Sequence, residues 1–273
     1  MASKTILIWL LSFVIMISAA IYQRRTGPTY EVRGSTEFAG ETIAYKLYRT
    51  HEGDTDMPVS IPVTSATITG VVEWKRNKVD EPWQPIPMEL IDGRLVAYLP
   101  NQPPAGKLEY TVTLTAGEES VVLSNKGRAV VTRFKGVVQI WILLPHILAM
   151  FIGMLVSTRA GLEAFLKRDN LKILTIWSFG LIFFGGMVLG PVVQYMAFGD
   201  FWTGVPFGWD LTDNKTLIMV IAWGWALWAV LKDKPARVAA MVASVVTIIV
   251  YLIPHSMLGS EIDYTAEGDR VEF

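Results

Sequence analysis

The chain has no cysteine among its 273 residues. This absence excludes disulfide bonds, cysteine-ligated zinc, iron–sulfur clusters and covalent haem attachment through a C-x-x-C-H site. Charged residues are also scarce, at 18% of the sequence, whereas soluble domains carry about 25%. A formal net charge of −1 offers no basic surface to a polyanion, so we expect no nucleic-acid partner. The scarcity of charge indicates instead a protein that lies partly in a lipid bilayer.

Several catalytic motifs are missing as well. The sequence holds no G-x-x-x-x-G-K-[ST] phosphate-binding loop, no H-E-x-x-H zinc motif and no G-x-S-x-G nucleophile motif. No acidic residue is predicted at the middle of a membrane helix, since Glu163 and Asp169 are expected in a short loop with basic neighbours. Ion and proton transporters usually have such an acid or two related halves. The sequence therefore favours a protein that is neither an enzyme nor a transporter.

Apolar residues form five stretches, and the length of each is close to what a membrane-spanning helix needs, about 20 residues. They cover residues 5–22, 136–157, 171–196, 216–231 and 238–258. The first predicts an N-terminal transmembrane anchor within residues 1–27, and a cleaved signal peptide is the alternative. The other four predict a four-helix transmembrane bundle over residues 136–258.

The loops between these stretches predict the orientation of the helices. Basic residues occupy the loop after the second stretch and the loop after the fourth, namely Arg159, Lys167, Arg168, Lys172, Lys232, Lys234 and Arg237. The loop between the third and fourth stretches is mainly acidic. The positive-inside rule then places the N-terminus and both basic loops in the cytoplasm. We expect a multi-pass protein of the cell (inner) membrane, with its large domain and its acidic tail (259–273) in the periplasm or outside the cell.

Residues 28–135 differ from the rest, because they contain turn residues and short β-favouring runs. Asp92-Gly93 between two apolar runs is a strong hairpin signal. Six to eight short strands predict an immunoglobulin-like β-sandwich, so the fold class is an α+β membrane protein with an exported sandwich. Such a domain typically docks a partner, and we expect a protein partner in a membrane complex besides the lipid bilayer.

Two histidines lie within the predicted membrane helices, and each follows a proline. His146 stands in LLPHILA and His255 in LIPHSML. Polar residues at membrane depth are costly and often functional. Imidazoles on facing helices of a bundle are normal axial ligands of haem b, which makes haem b the candidate cofactor. The alternative is that each histidine only forms hydrogen bonds within the bundle.

The stretch from Gly190 to Thr216 is rich in glycine, tryptophan and aspartate. Its segments Ala197-Phe198-Gly199, Trp202 and Trp209-Asp210, followed by Leu217-Ile218 and Trp223, resemble the tryptophan-rich (WWD) loop of the haem-handling membrane proteins of cytochrome c assembly. The resemblance covers roughly 30 of the 273 residues. This chain departs from the family pattern by inserting residues 203–208 between Trp202 and Trp209.

The resemblance implies a haem-contacting site on the outer face, acting in electron transfer or cytochrome assembly. In that family the loop lies near histidines that ligate haem. His146 and His255 would then be the axial ligands, and Trp202, Trp209 and Asp210 would line the haem edge. The alternative function is a non-enzymatic accessory or scaffold subunit that docks a partner through the exported sandwich.

Two further hypotheses concern the same loop. Asp210, Asp213 and Lys215 would be polar contacts or proton carriers if the loop with His255 were an enzyme or transport site. Asp213-Asn214 is also expected to cap a helix that starts near Lys215.

The acidic tail offers a different alternative. His255, Glu261 and Asp263, with aspartates of the loop, offer N and O ligands to a divalent metal. Their spacing matches no known motif, so we predict no metal site and interpret these acids as an exposed tail.

Overall fold

The computed structural model describes residues 2–255, 257, 259, 261–265 and 270–272. The chain is mixed α+β, as predicted, and it divides into two compact units. The helical unit comprises Met1–Pro28 and Val138–Gly259, and the β unit comprises Thr29–Val137 and Ser260–Glu272.

The helical unit contains six α-helical segments in its described part. They are α1 (Ala2–Thr26), α2 (Ile140–Phe165), α3 (Leu171–Phe183), α4 (Gly190–Phe198), α5 (Leu211–Leu231) and α6 (Arg237–Leu252). A π-helical segment, Phe184–Leu189, joins α3 to α4 into one continuous run. Four helices in the described part of the chain are long and apolar enough to cross a membrane. They are α1, α2, the continuous run from α3 to α4, and α5.

The helix α6 is shorter than the predicted fifth stretch. It has 16 residues, which gives a length of about 24 Å. The predicted stretch continued to residue 258, but the helix stops at Leu252, and Ile253 takes an extended conformation before Pro254. A residue that precedes proline is sterically disfavoured in the helical region, and this explains the early end.

The helices pack around small side chains. The helix α2 contacts α3 and α6, α5 contacts the same two helices, and α1 lies against α2 and α6. Trp223 of α5 is fully buried, and its indole Nε1 donates to Thr247 Oγ1 of α6 at 2.9 Å. Gly161 of α2 faces Ser244 so closely that a Cβ atom would overlap that serine. Glycine is therefore required where α2 and α6 cross.

The prediction that Glu163 lies in a loop is wrong. The helix α2 continues to Phe165, and Glu163 is fully buried in its last turn. Glu163 forms an ion pair with Arg159, one turn earlier, and Arg159 is also buried. The Arg159 guanidinium lies 5.5 Å from the ring centroid of Trp9 in α1. Because the charges of Arg159 and Glu163 neutralise each other, α2 can continue through a segment whose charged residues predict a loop.

The β unit has eleven strands before α2 and two near the C-terminus in its described part. They are β1 (Val32–Phe38), β2 (Glu41–Leu47), β3 (Thr50–Glu52), β4 (Met57–Pro62), β5 (Thr69–Arg76), β6 (Gln84–Pro87), β7 (Glu89–Ile91), β8 (Arg94–Leu99), β9 (Lys107–Ala116), β10 (Glu119–Leu123), β11 (Val130–Lys135), β12 (Glu261–Asp263) and β13 (Arg270–Glu272). One sheet has the order β3-β11-β9-β5-β6, with β10 paired to β9. A second has the order β4-β8-β7, and β1 pairs with β2.

Side chains from these sheets share one hydrophobic core. The strand β9 shows the pattern most clearly, because Leu108, Tyr110, Val112 and Leu114 are buried and alternate with less buried neighbours. The predicted hairpin is confirmed: Asp92 and Gly93 connect β7 to β8, and both have positive φ. This is the conformation that the favoured two-residue hairpin turn requires.

The segment after the helical unit returns to the β unit. The backbone N–H of Lys107 donates to the Tyr264 hydroxyl at 3.1 Å, and the N–H of Ile262 donates to Ala105 O at 3.4 Å. Glu261 forms ion pairs with Lys78 and Lys107. Residues 261–265 thus pack on the β unit, whereas the sequence predicts an exposed tail.

Candidate functional site

His146 is held in place by a hydrogen bond across two helices. It follows Pro145 in α2, is half-buried, and places its Nδ1 2.9 Å from the carbonyl oxygen of Gly185. A carbonyl can only accept, so Nδ1 carries the hydrogen and Nε2 keeps its lone pair. Histidines that ligate metals commonly have this arrangement, because the bond fixes both tautomer and ring orientation. Nε2 of His146 is therefore prepared to accept a hydrogen bond or to bind a metal.

The π-helical segment provides the partner of His146. The carbonyl of Gly185 also accepts the backbone N–H of Gly190, which closes the wider π turn. A Cβ atom on Gly185 would approach Met150 Sδ to 2.9 Å, and one on Gly190 would lie 3.8 Å from His146 Cε1. Glycine thus lets α2 approach this segment, and π segments often occur at functional sites. Sequence reasoning missed the π turn, and its only available signal was the cluster of glycines.

His255 follows the end of α6 by three residues, and its side chain is exposed. Four residues before it, the Tyr251 hydroxyl donates to Met150 O at 2.5 Å, and Met150 lies four residues after His146. The structure therefore brings both predicted histidines to the same end of the helical unit, together with Asp210.

Lys215 fixes the backbone just before His255. Its side chain is buried, and Nζ donates to Ile253 O at 2.8 Å and to Pro254 O at 3.4 Å. A cation on the last carbonyls of a helix also interacts favourably with the helix dipole. Lys215 thus positions the segment that carries His255, and its amino group is occupied by the two carbonyl oxygens.

The cap of α5 differs from the prediction. The expectation that Asp213-Asn214 caps a helix starting near Lys215 is wrong, because α5 begins at Leu211 and Asp210 is its N-cap. The Asp210 carboxylate accepts from Thr212 N at 2.7 Å and from Asp213 N at 3.4 Å. Asp210, which the sequence predicts at the haem edge, therefore uses its carboxylate to cap α5.

Asp213 and Asn214 organise the preceding loop, residues 199–210. Oδ2 of Asp213 accepts from Thr203 N at 2.6 Å and from Gln194 Nε2 at 3.1 Å. Oδ1 of Asn214 accepts from Val205 N at 2.8 Å. Both side chains turn back from α5 and accept hydrogen bonds from backbone N–H groups of the loop.

The aromatic residues of this loop differ in their environment. Trp202 is half-buried, and its indole N–H donates to Val205 O at 3.1 Å. Trp209 and Phe207 are each 77% exposed. Phe201 stacks on Tyr195 with a centroid distance of 4.3 Å. Polar groups therefore face inward and apolar rings face outward.

No family model, curated protein or solved structure matches this chain. Within the described residues, no three histidine or acidic side chains gather in a group that could hold a metal ion.

Proposed function

We propose that this chain is an integral membrane protein with its helical unit in the bilayer. The apolar helices support this placement, as does the large number of exposed apolar side chains on them. The basic loops would face the cytoplasm. The β unit, as an immunoglobulin-like sandwich, and the C-terminus would lie on the periplasmic or extracellular side of the inner membrane.

Within this placement we propose that the outer end of the helical unit contacts haem, in electron transfer or cytochrome assembly. The observation that carries the proposal is the bond from His146 Nδ1 to Gly185 O, which leaves Nε2 as a ligand nitrogen. His255 would be the second ligand, since the contact between Tyr251 and Met150 brings its segment to the same end of the helical unit as His146. A bound haem would supply one-electron chemistry.

The remaining predicted residues would support this site in different ways. The exposed indole of Trp209 offers a flat apolar surface to a planar group, whereas Trp202 stabilises the loop through its bond to Val205 O. Asp210 positions the start of α5. None of these three needs to touch the metal for the proposal to hold.

The first test is the absorption spectrum of the full chain, purified in detergent after expression with added haem. We expect a Soret band in the oxidised protein and split α/β bands after dithionite reduction. His146→Ala and His255→Ala should lose the band. The control is His51→Ala, because His51 lies in the β unit with its Nε2 2.8 Å from Thr55 O. A wild-type chain without the band, or an equal loss in the control, would contradict the proposal.

A second function, an accessory subunit that docks a partner through the β unit, is favoured by one edge strand. In the described part of the chain β7 pairs with β8 alone, and its Leu90 and Ile91 are 46% and 45% exposed. Open apolar edges invite pairing with another chain. The edge strand β6 is instead blocked by its prolines.

This second function predicts that Leu90→Lys abolishes co-purification of partner subunits from native membranes. Val122→Lys is the control, because Val122 is an exposed apolar residue on β10. Unchanged co-purification of Leu90→Lys would argue against docking at β7.

A further inference from the structure

A cleft of about 520 Å³ lies between the α2–α3 loop and the α5–α6 loop. One wall comes from the segment around Arg168 and Lys172, and the other from the segment around Lys234 and Arg237. These two segments are far apart in sequence and meet only because α2, α3, α5 and α6 pack in one unit. The cleft is separate from the histidine site, because none of the histidines lines it.

The cleft carries a surplus of positive charge. Four cationic side chains and two carboxylates line it, which leaves a formal charge of +2. The cations are Arg168, Lys172, Lys234 and Arg237, and the carboxylates are Asp169 and Asp233. Lys172 and Lys234 are exposed, and the described residues give neither of them an ion-pair partner. Their ammonium groups are thus available to an anion.

Two helix N-termini also border the cleft. Its lining includes Leu171 and Lys172 of the first turn of α3, and Arg237 and Val238 of the first turn of α6. Neither helix has a side-chain hydrogen bond from its N-cap residue. First-turn N–H groups without such a cap can donate hydrogen bonds to an anion. The helix dipole also stabilises negative charge at this end of a helix. The cations and both helix ends therefore favour the same kind of ligand.

The wall formed by the α2–α3 loop is fixed by partly buried contacts. Glu163 accepts the backbone N–H of Asn170 at 3.0 Å and lies 3.6 Å from Nε of Arg168. Nη2 of Arg168 donates to Thr5 Oγ1 at 2.8 Å. These bonds hold the loop in position without a ligand, so the cleft is formed in advance.

We propose that this cleft binds the phosphate group of an anionic phospholipid. Phosphate matches the two lysines and the helix N-termini. A lipid is the source because the cleft lies at the ends of apolar helices and includes the apolar side chains of Val230 and Val238. The inference rests on the proposed membrane placement, and it does not depend on haem binding.

The test measures binding of phosphatidylglycerol to the full chain in a neutral detergent, with phosphatidylcholine as the reference lipid. Lys172→Gln/Lys234→Gln should weaken phosphatidylglycerol binding by about 30-fold, since each lysine near a lipid headgroup contributes about fivefold. The matched control is Lys167→Gln/Lys232→Gln, which removes the same charge from positions next to the two segments that line the cleft but outside its lining.

Retention of affinity in the control pair would support the cleft as the site. Equal losses in the two pairs would overturn it, because the binding would then reflect only the general charge of this face. Displacement of the lipid by millimolar inorganic phosphate would overturn the lipid as the source. Both variant pairs retain His146 and His255, so the absorption spectrum tests haem binding separately.

Discussion

Replacing Asp213 with alanine tests whether this residue holds the loop between α4 and α5. Oδ2 of Asp213 accepts three hydrogen bonds, from Thr203 N at 2.6 Å, Thr203 Oγ1 at 3.1 Å and Gln194 Nε2 at 3.1 Å. In Asp213→Ala the Gln194 donor keeps a partner, because Gln194 Nε2 also donates to Thr203 Oγ1 at 2.7 Å, whereas the Thr203 hydroxyl no longer has Asp213 to donate to. The N–H of Thr203 loses its acceptor.

The expected cost follows from this difference. Thr203 is only 2% exposed, so water cannot easily replace the lost acceptor. A hydrogen bond to a charged group contributes about 1.5–3 kcal/mol, and a buried unpaired donor costs a similar amount. The three bonds are not additive because they share one oxygen. We therefore expect Asp213→Ala to destabilise the loop by about 3 kcal/mol, and Asp213→Asn, which keeps an oxygen, by about 1 kcal/mol.

Hydrogen exchange followed by mass spectrometry measures this local effect. A cost of about 3 kcal/mol accelerates exchange at the Thr203 amide about a hundredfold if the loop opens locally. Asp200→Ala is the control in the same loop, because Asp200 is half-exposed and no hydrogen bond is found for it within the described residues; its effect should stay within about 0.5 kcal/mol. Equal exchange in Asp213→Ala and Asp200→Ala would refute the role of Asp213.

Two further predictions concern packing and pH. Gly161→Ala should lower the free energy of unfolding in detergent by about 1–3 kcal/mol, because its Cβ would overlap α6. Gly180→Ala, with open space around its Cβ, should raise that free energy by up to about 1 kcal/mol; equal effects would contradict the packing argument. Burial alone would raise the pKa of Glu261, but hydrogen bonds and charges from Lys107 and Lys78 lower it below 4.5. The stability that this carboxylate contributes is present above pH 4.5 and is lost as the pH falls through the lowered pKa. Glu261→Gln should therefore unfold more easily at pH 7 and show a weaker acid dependence, and an unchanged pH profile of the unfolding midpoint would exclude this role.

Local sequence signals predicted those elements whose stability depends on neighbouring residues. The hairpin at Asp92-Gly93 formed as expected, because the positive φ of both residues is a property of the turn itself. Pro254 ended α6 early for an equally local steric reason. The predicted fifth stretch, which ended at residue 258, was too long because hydropathy does not reflect this steric effect of proline.

Electrostatic assignments were less predictable from the sequence. Glu163 has the neighbours of a loop residue, yet it is buried because Arg159 neutralises it within the same helix. Asp210 and Asp213 both precede an apolar run by a spacing that suits an N-cap. Asp210 is selected because Asp213 is engaged by Thr203 and Gln194. Which aspartate caps α5 therefore depends on the folded loop.

By itself, the sequence determined that the chain has long apolar helices, a β-rich segment between the first two of them, and glycines where close contacts are needed. These properties follow from composition, periodicity and turn chemistry, which act over a few residues. Only the tertiary structure decided that Gly185 of the π turn orients His146, and that Lys172 and Lys234 border one cleft. The residues of each pair are distant along the chain, and their placement together depends on how the helices pack, which no local pattern encodes.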